Sequence, residues 1–192
     1  MKLLTKVNLF AVLGLLLVLT GFGLFVMSQK NAQNLPPNIE NPRLIVKKSE
    51  RKLELFDGEK LLKTYRVVLG FAPVGDKKIE GDGKTPLGDF YVFTKNDQSK
   101  FYLSLGLSYP GRDDAERGLR ENLISQAEYG EIVQAIAEKR MPPQNTSLGG
   151  EIYIHGGGTA KDWTWGCVAL ENELMREIFD AVPTGAKVTI LP

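Results

Sequence analysis

Apolar and polar residues alternate in short blocks along most of the chain. Arg43–Lys48 (RLIVKK), Lys52–Phe56 (KLELF) and Lys60–Gly70 (KLLKTYRVVLG) are rich in Val, Leu, Ile and Tyr at strand length. Asp57-Gly58 between the second and third is a hairpin signal. Phe71–Gly88 is dense in Gly, Asp and Pro and reads as a loop, and Asp89–Thr94 (DFYVFT) and Phe101–Leu105 (FYLSL) read as strands again. A helix is expected from Ser125, where Glu128 completes a capping box and Ile132, Val133 and Ile136 recur at helical spacing, up to Met141-Pro142-Pro143. After a strand at Glu151–His155, a second helix is expected with Asn172 as N-cap. Leu174, Met175, Ile178, Phe179 and Val182 mark its buried face. Pro183-Thr184-Gly185 then turns the chain into a last strand, Lys187–Leu191 (KVTIL). The pattern predicts a mainly β, β-sandwich-like domain of mixed sheets with two peripheral α-helices, not the regular βαβ alternation of a doubly wound fold.

The N-terminus departs from this pattern. Val7–Gln29 carries no charge, and its apolar part, Val7–Met27, is 21 residues long. At about 1.5 Å per residue such a helix matches a bilayer core of ~30 Å. The run exceeds the apolar region of a cleaved signal peptide, and its only small-x-small site, Val26-Met27-Ser28, is weak. Lys2 and Lys6 precede it. The expectation is a single-pass anchor at 1–27 in a cytoplasmic (inner) membrane, with the N-terminus inside and everything after Lys30 outside. An extended linker at 28–42, with four Asn and three Pro, and a domain at 43–192 would follow.

Composition narrows the function classes. The 192 residues hold 24 Lys+Arg and 23 Asp+Glu. Lys2, Lys6 and Lys30 account for all charge in the first thirty residues, so the remainder carries a net −2. A near-neutral body lacks the basic face that nucleic acid requires. One cysteine and one histidine cannot supply four ligands to a metal, so no metal site is expected.

Those two residues carry the chemistry. His155 and Cys167 lie twelve positions apart in IYIHGGGTAKDWTWGCVAL. A free thiol is only a few per cent thiolate at neutral pH, and an imidazole in reach can accept its proton to give a thiolate–imidazolium pair. The glycine before Cys167 lets backbone N–H groups approach a developing oxyanion. On spacing alone, a core His beside a buried, inert Cys fits equally well. Two other signals fail. Gly83-Lys84-Thr85 lacks the first glycine of a phosphate-binding loop and runs into Pro86. His155-Gly156-Gly157-Gly158 looks like an esterase oxyanion motif, but the chain has no G-x-S-x-G elbow and no second histidine.

An ordered set of motifs gives the chain a family. L-x-L-F-D-G at 53–58, Y-R-V-V-L-G at 65–70, E-G-D-G-K-T-P-L-G-D-F-Y at 80–91, S-Y-P at 108–110, I-H-G at 154–156 and T-W-G-C-V-A-L at 164–170 occur in sequence. Together they resemble the L,D-transpeptidase catalytic domain family (YkuD-like), in a membrane-anchored form, over essentially Arg43–Pro192. The family signature is His-Gly, a gap, then Ser/Thr-x-Gly-Cys.

The resemblance implies a peptidoglycan L,D-transpeptidase. Cys167 would be the nucleophile and His155 the general base and acid, with Gly156 and the Trp165-Gly166-Cys167 backbone lining the site and donating to the oxyanion. The thiolate would attack the third residue of a stem tetrapeptide, release D-Ala, and pass the acyl group from a thioester to an amine acceptor, crosslinking the wall. The implied partners are peptidoglycan stem peptides and, as inhibitors, carbapenem-type β-lactams; no cofactor is implied. The alternatives are an L,D-carboxypeptidase or endopeptidase of the same family and a non-catalytic cell-wall-binding module. Two departures stand out. Trp165 occupies a position that is His in many members, and Ala169 one that is Arg, so a carboxylate-binding role passes to Lys161 or Arg112. Asp162 is a candidate to orient His155, or else caps a turn. Tyr109 and Trp163 are either walls of the donor groove or ordinary packing, and packing is the expectation. The segment 113–150 is a helical insert, a lid or a partner surface.

Overall fold

The computed structural model describes residues 35–192. The chain forms strands β1 (Pro42–Lys47), β2 (Lys52–Asp57), β3 (Lys60–Arg66), β4 (Gly88–Ser99) and β5 (Tyr102–Leu107). Helices α1 (Arg112–Arg120) and α2 (Gln126–Ala137) follow, then β6 (Tyr153–His155), β7 (Val168–Ala169), α3 (Asn172–Ala181) and β8 (Lys187–Leu191). The eight strands make one mixed sheet in the order β3-β2-β1-β8-β4-β5-β6-β7. β1 runs parallel to β8 and β6 parallel to β7, while the other neighbours are antiparallel.

β4 explains the sandwich-like shape. Its first residues, Gly88–Tyr91, pair with β8, and from Val92 onward it pairs with β5 through an irregular register. Such bulges bend a strand and increase its twist, so one long strand serves two half-sheets. The curl brings the ends of the strand order together, because Val68, just past β3, bridges Ala169 of β7 and Gly70 bridges Thr164. The core lies inside this curl. Leu44, Val46, Leu53, Leu55, Leu105, Ile154, Val188 and Ile190 fill it, and Met175 and Ile178 of α3 pack onto it.

The hairpin at Asp57-Gly58 forms as expected, with Asp57 paired to Lys60 and Gly58 at φ 55°. The Ser125 capping box is present: Ser125 Oγ accepts the Glu128 N–H at 3.2 Å and the Ser125 N–H donates to Glu128 Oε2 at 2.7 Å. Three features differ from the sequence expectation. A third helix, α1, precedes α2, and Ala115 joins Ile124, Ile132 and Leu148 in a separate small core. Its apolar pattern is sparse. Its readable signal is electrostatic, with Asp113 and Asp114 in the first turn and Arg117 and Arg120 in the last, matching the helix dipole. The N-cap of α3 is Glu171 rather than Asn172, whose Oδ1 instead accepts the Gly157 N–H at 2.9 Å. In the expected linker, Leu35 and Ile39 pack against the core.

The inner-membrane location expected from the sequence is not upheld. Among the described residues no helix is long and apolar enough to cross a membrane. The apolar segment Val7–Met27 lies outside the described residues.

Candidate active site

Two adjacent parallel strands place His155 and Cys167. In the β6–β7 ladder Ile154 opposes Val168 and His155 opposes Ala169. Cys167, directly before β7, therefore lies at the level of Tyr153. Side chains alternate across a strand, so Tyr153 and His155 share the face opposite the core residue Ile154. Tyr153, His155 and Cys167 all line one cleft of about 1000 Å³.

The His155 ring is held on three sides. Its Nδ1 lies 2.6 Å from the Gly156 carbonyl oxygen. A carbonyl only accepts, so Nδ1 carries the proton and Nε2 keeps its lone pair. The ring stacks on Phe101 at 4.8 Å between centroids and meets Trp163 edge-on at 5.5 Å. Trp163 is fixed in turn by its indole N–H, which donates to the Gly158 carbonyl at 3.2 Å. Nε2 makes no hydrogen bond to the described residues. Since no buried side-chain nitrogen or oxygen among them lacks a partner, Nε2 faces the open cleft.

Cys167 rests between two backbone groups. Its Sγ donates to the Glu151 carbonyl and accepts the Tyr153 N–H, each at 3.4 Å. Burial pushes the thiol up to about 11, and burial also holds the imidazole below its ordinary value, with the Gly156 carbonyl bond opposing. No hydrogen bond joins Sγ to His155 among the described residues. The resting pair is thus a neutral thiol and a neutral imidazole, not the thiolate–imidazolium pair that was one of the two readings open on spacing alone. Alkylation of Cys167 by iodoacetamide in the free protein should keep accelerating from pH 8 to pH 10. A plateau reached near neutrality would contradict the neutral pair.

The loop before the thiol is shaped by Thr164 and Gly166. Thr164 Oγ1 donates to the Cys167 carbonyl at 2.7 Å and accepts the Gly166 N–H at 3.2 Å. Gly166 has φ +133°, and a Cβ there would lie 2.7 Å from the Lys84 carbonyl oxygen and 2.9 Å from Ile152 Cδ1. Only glycine fits. The Gly166 N–H is therefore engaged, and so is that of Gly156, which donates to the Leu103 carbonyl at 3.2 Å. The N–H groups of Trp165 and Cys167 have no acceptor among the described residues, which narrows the expected oxyanion donors to these two. The contribution of Gly156 is its carbonyl, facing His155. Its close quarters also demand glycine, since a Cβ would meet Asn172 Oδ1 at 2.5 Å.

The other sequence candidates separate. Asp162 does not touch His155. Arg51 grips it, with Nε at 3.1 Å from both carboxylate oxygens and Nη2 at 2.7 Å, and it accepts the Leu69 N–H at 2.9 Å. It ties the Trp163-bearing loop to the end of β3. Tyr109 is fully buried, with its hydroxyl on the Leu148 carbonyl at 2.9 Å, and is packing as expected. Trp163, also expected to be packing, walls the cleft and touches the dyad. Trp165 is 70% exposed at the rim, edge-on to Phe71 at 4.9 Å. Arg112 begins α1 and lines neither cleft, and Lys161 lines a second cleft beyond Trp163. Phe101 was not foreseen; it sits 54 positions before His155 at a hairpin tip, and nothing local in the sequence marks it. Among the described residues no cluster of His, Cys, Asp and Glu could hold a metal ion.

Known proteins share this fold. No curated protein sequence matches the chain. Among solved structures, the helical cell shape determining protein Pgp2 from Campylobacter jejuni is 22% identical with a TM-score of 0.51, covering 79% of this chain and 48% of that one. Bd1075 from Bdellovibrio bacteriovorus is 20% identical with a TM-score of 0.52, covering 83% of this chain and 51% of that one. L,D-transpeptidase 1 from Mycobacterium tuberculosis is 13% identical at 0.46, covering 79% and 62%. The chain thus spans about half the length of the first two, and the likeness is one of fold. The family model for the L,D-transpeptidase catalytic domain matches residues 41–190, nearly the whole described region, with His155 and Cys167 inside the match. The chain belongs to the L,D-transpeptidase catalytic domain (YkuD) family.

Proposed function

We propose that the protein is a peptidoglycan L,D-transpeptidase in which Cys167 is the nucleophile and His155 the general base and acid. The observation that carries this reading is the fixed tautomer of His155. Its protonated Nδ1 is held on the Gly156 carbonyl, so the basic Nε2 is presented to the cleft that Cys167 also lines. Turning from its resting partners, the Cys167 thiol hands its proton to Nε2 as Sγ attacks the carbonyl of the third stem residue. The N–H groups of Trp165 and Cys167 receive the oxyanion. Collapse breaks the amide bond, and the departing D-alanine amine takes the proton from His155. The thioester is then attacked by an amine, which gives its proton to Nε2. Sγ leaves and is reprotonated as the new amide bond forms. No step calls for a metal or cofactor.

Water in place of the amine would turn the same thioester toward hydrolysis. The second cleft favours transfer, because it adjoins the first across Phe101 and Trp163 and leaves room for a second peptide beside the donor. A wall-binding module would need neither the thiol nor the oriented imidazole.

The proposal is tested with a carbapenem, whose strained ring mimics the scissile amide. Intact mass is expected to rise by the full mass of the carbapenem, once per chain, and not at all for Cys167→Ala. An unmodified parent protein after prolonged exposure would contradict it.

A further inference from the structure

β5 opens Tyr102-Leu103-Ser104-Leu105, with a serine between two leucines of the core. Alternation along a strand puts Ser104 on the opposite face, where it lines the same cleft as His155 and Cys167. In the β5–β6 ladder Ser104 opposes His155 directly. The Gly156 N–H donates to the Leu103 carbonyl, one residue outside each member of this pair. Ser104 and His155 are therefore a narrow pair of the antiparallel ladder, with Cα atoms about 4.5 Å apart and side chains next to one another on one face.

The Ser104 hydroxyl is unspent. The residue is only 4% exposed, yet its Oγ has no hydrogen-bond partner among the described residues. Since no fully buried side-chain oxygen among them lacks a partner, this oxygen touches the cleft. The other buried hydroxyls are committed: Ser108 to the Tyr91 N–H, Thr85 to the Gly70 N–H, Thr146 to the Leu148 N–H, Thr159 to Glu171 and Thr164 to the Cys167 carbonyl. On the other side of Ser104 stands Asn96 of β4, whose side-chain oxygen is taken by the Gln98 N–H at 2.8 Å. Ser104 Oγ and His155 Nε2 thus face the cleft from neighbouring positions, and both are free to meet a substrate.

We propose that the Ser104 hydroxyl accepts a hydrogen bond from the reacting nitrogen of the peptide, first the leaving D-alanine nitrogen and then the incoming amine. The inference rests on the transpeptidase reading and adds a group to it. As the tetrahedral intermediate collapses, the carbon–nitrogen bond breaks and the nitrogen takes the proton from Nε2. Its lone pair must then face Nε2, which turns its own N–H away from the imidazole. A buried N–H left without an acceptor costs free energy, and Ser104 Oγ supplies one. In the second half the incoming amine forms the bond to the thioester carbon and gives one hydrogen to Nε2. Its remaining N–H points to the same Ser104 oxygen. Ser104 neither gains nor loses a proton in either half.

A β-lactam nitrogen carries no hydrogen, and this separates the role from a structural one. The test measures D-alanine release from a tetrapeptide muropeptide and the rate of Cys167 acylation by a carbapenem, in the parent protein and in Ser104→Ala. The variant is expected to lower kcat for D-alanine release by roughly tenfold, keep KM within about twofold, and acylate with the carbapenem at a rate within about twofold of the parent. A kcat for D-alanine release within about twofold of the parent would overturn the assignment while leaving the transpeptidase standing. Carbapenem acylation slowed in step with D-alanine release would also overturn it, because the effect would then fall on His155, Cys167 or the fold. A parent protein that neither releases D-alanine nor is acylated by the carbapenem would overturn the function, and this assignment with it.

Discussion

Cys167→Ala is expected to abolish turnover and acylation while leaving the fold in place. The two halves of this expectation have separate causes. Sγ is the only thiol in the chain, and Ser104, which opposes His155 and lines the same cleft, offers a hydroxyl, a far weaker nucleophile than a thiolate. The hydroxyl of Thr164 is committed to the Cys167 carbonyl and the Gly166 N–H. The structural cost is small, because the thiol makes only two long contacts of 3.4 Å and the loop around it is shaped by Thr164 and Gly166. Losing such contacts costs about 1 kcal/mol, a melting shift of roughly 2–4 °C for a chain of this size. Thermal unfolding followed by circular dichroism beside a D-alanine release assay checks both halves. Residual turnover above background would remove Cys167 from the chemistry.

His155→Gln is expected to lower kcat/KM by roughly a thousandfold, within the 10²–10⁴ range for loss of a positioned general base. Glutamine keeps a polar group and similar bulk but cannot accept the thiol proton. With a thiol pushed to about 11, little thiolate exists at neutral pH without a base, so the loss should lie well inside that range. The pH profile adds a sign. Burial holds the His155 imidazole below its usual value, so the base stays neutral into mildly acidic solution. Activity of the parent should persist as pH falls to the ordinary imidazole range and decline only below it. In His155→Gln that acid limb should vanish and the rate should rise with pH as thiolate forms. A parent rate already halved above the ordinary imidazole range would contradict the burial argument.

Much of the fold was legible because period-two patterning encodes faces. In β1, Leu44 and Val46 are buried while their neighbours are only partly so, and the hairpin glycine and the Ser125 capping box are local signals with local causes. α1 escaped because nine residues of mostly charged sequence bury a narrow stripe. The candidate site stands out in the sequence through a lone His and a lone Cys across glycines and through the family motifs. The sequence did not reveal the partners of its polar groups. Asp162 looked equally suited to His155 or to a turn, and it instead pairs with Arg51, 111 positions away. Phe101 reaches His155 only because β5 pairs with β6, which no local pattern states. The electrostatic state of His155 and Cys167 was likewise unreadable, since the raised thiol and the lowered imidazole both come from burial, which no local pattern states.

The most direct test of the central claim is product analysis by mass spectrometry after incubating the protein with purified tetrapeptide muropeptides, with Cys167→Ala alongside. Transpeptidation predicts a muropeptide dimer that has lost one D-alanine, formed by the parent protein and absent with Cys167→Ala. Monomer shortened by one alanine with no dimer, or dimer formed equally by Cys167→Ala, would contradict it.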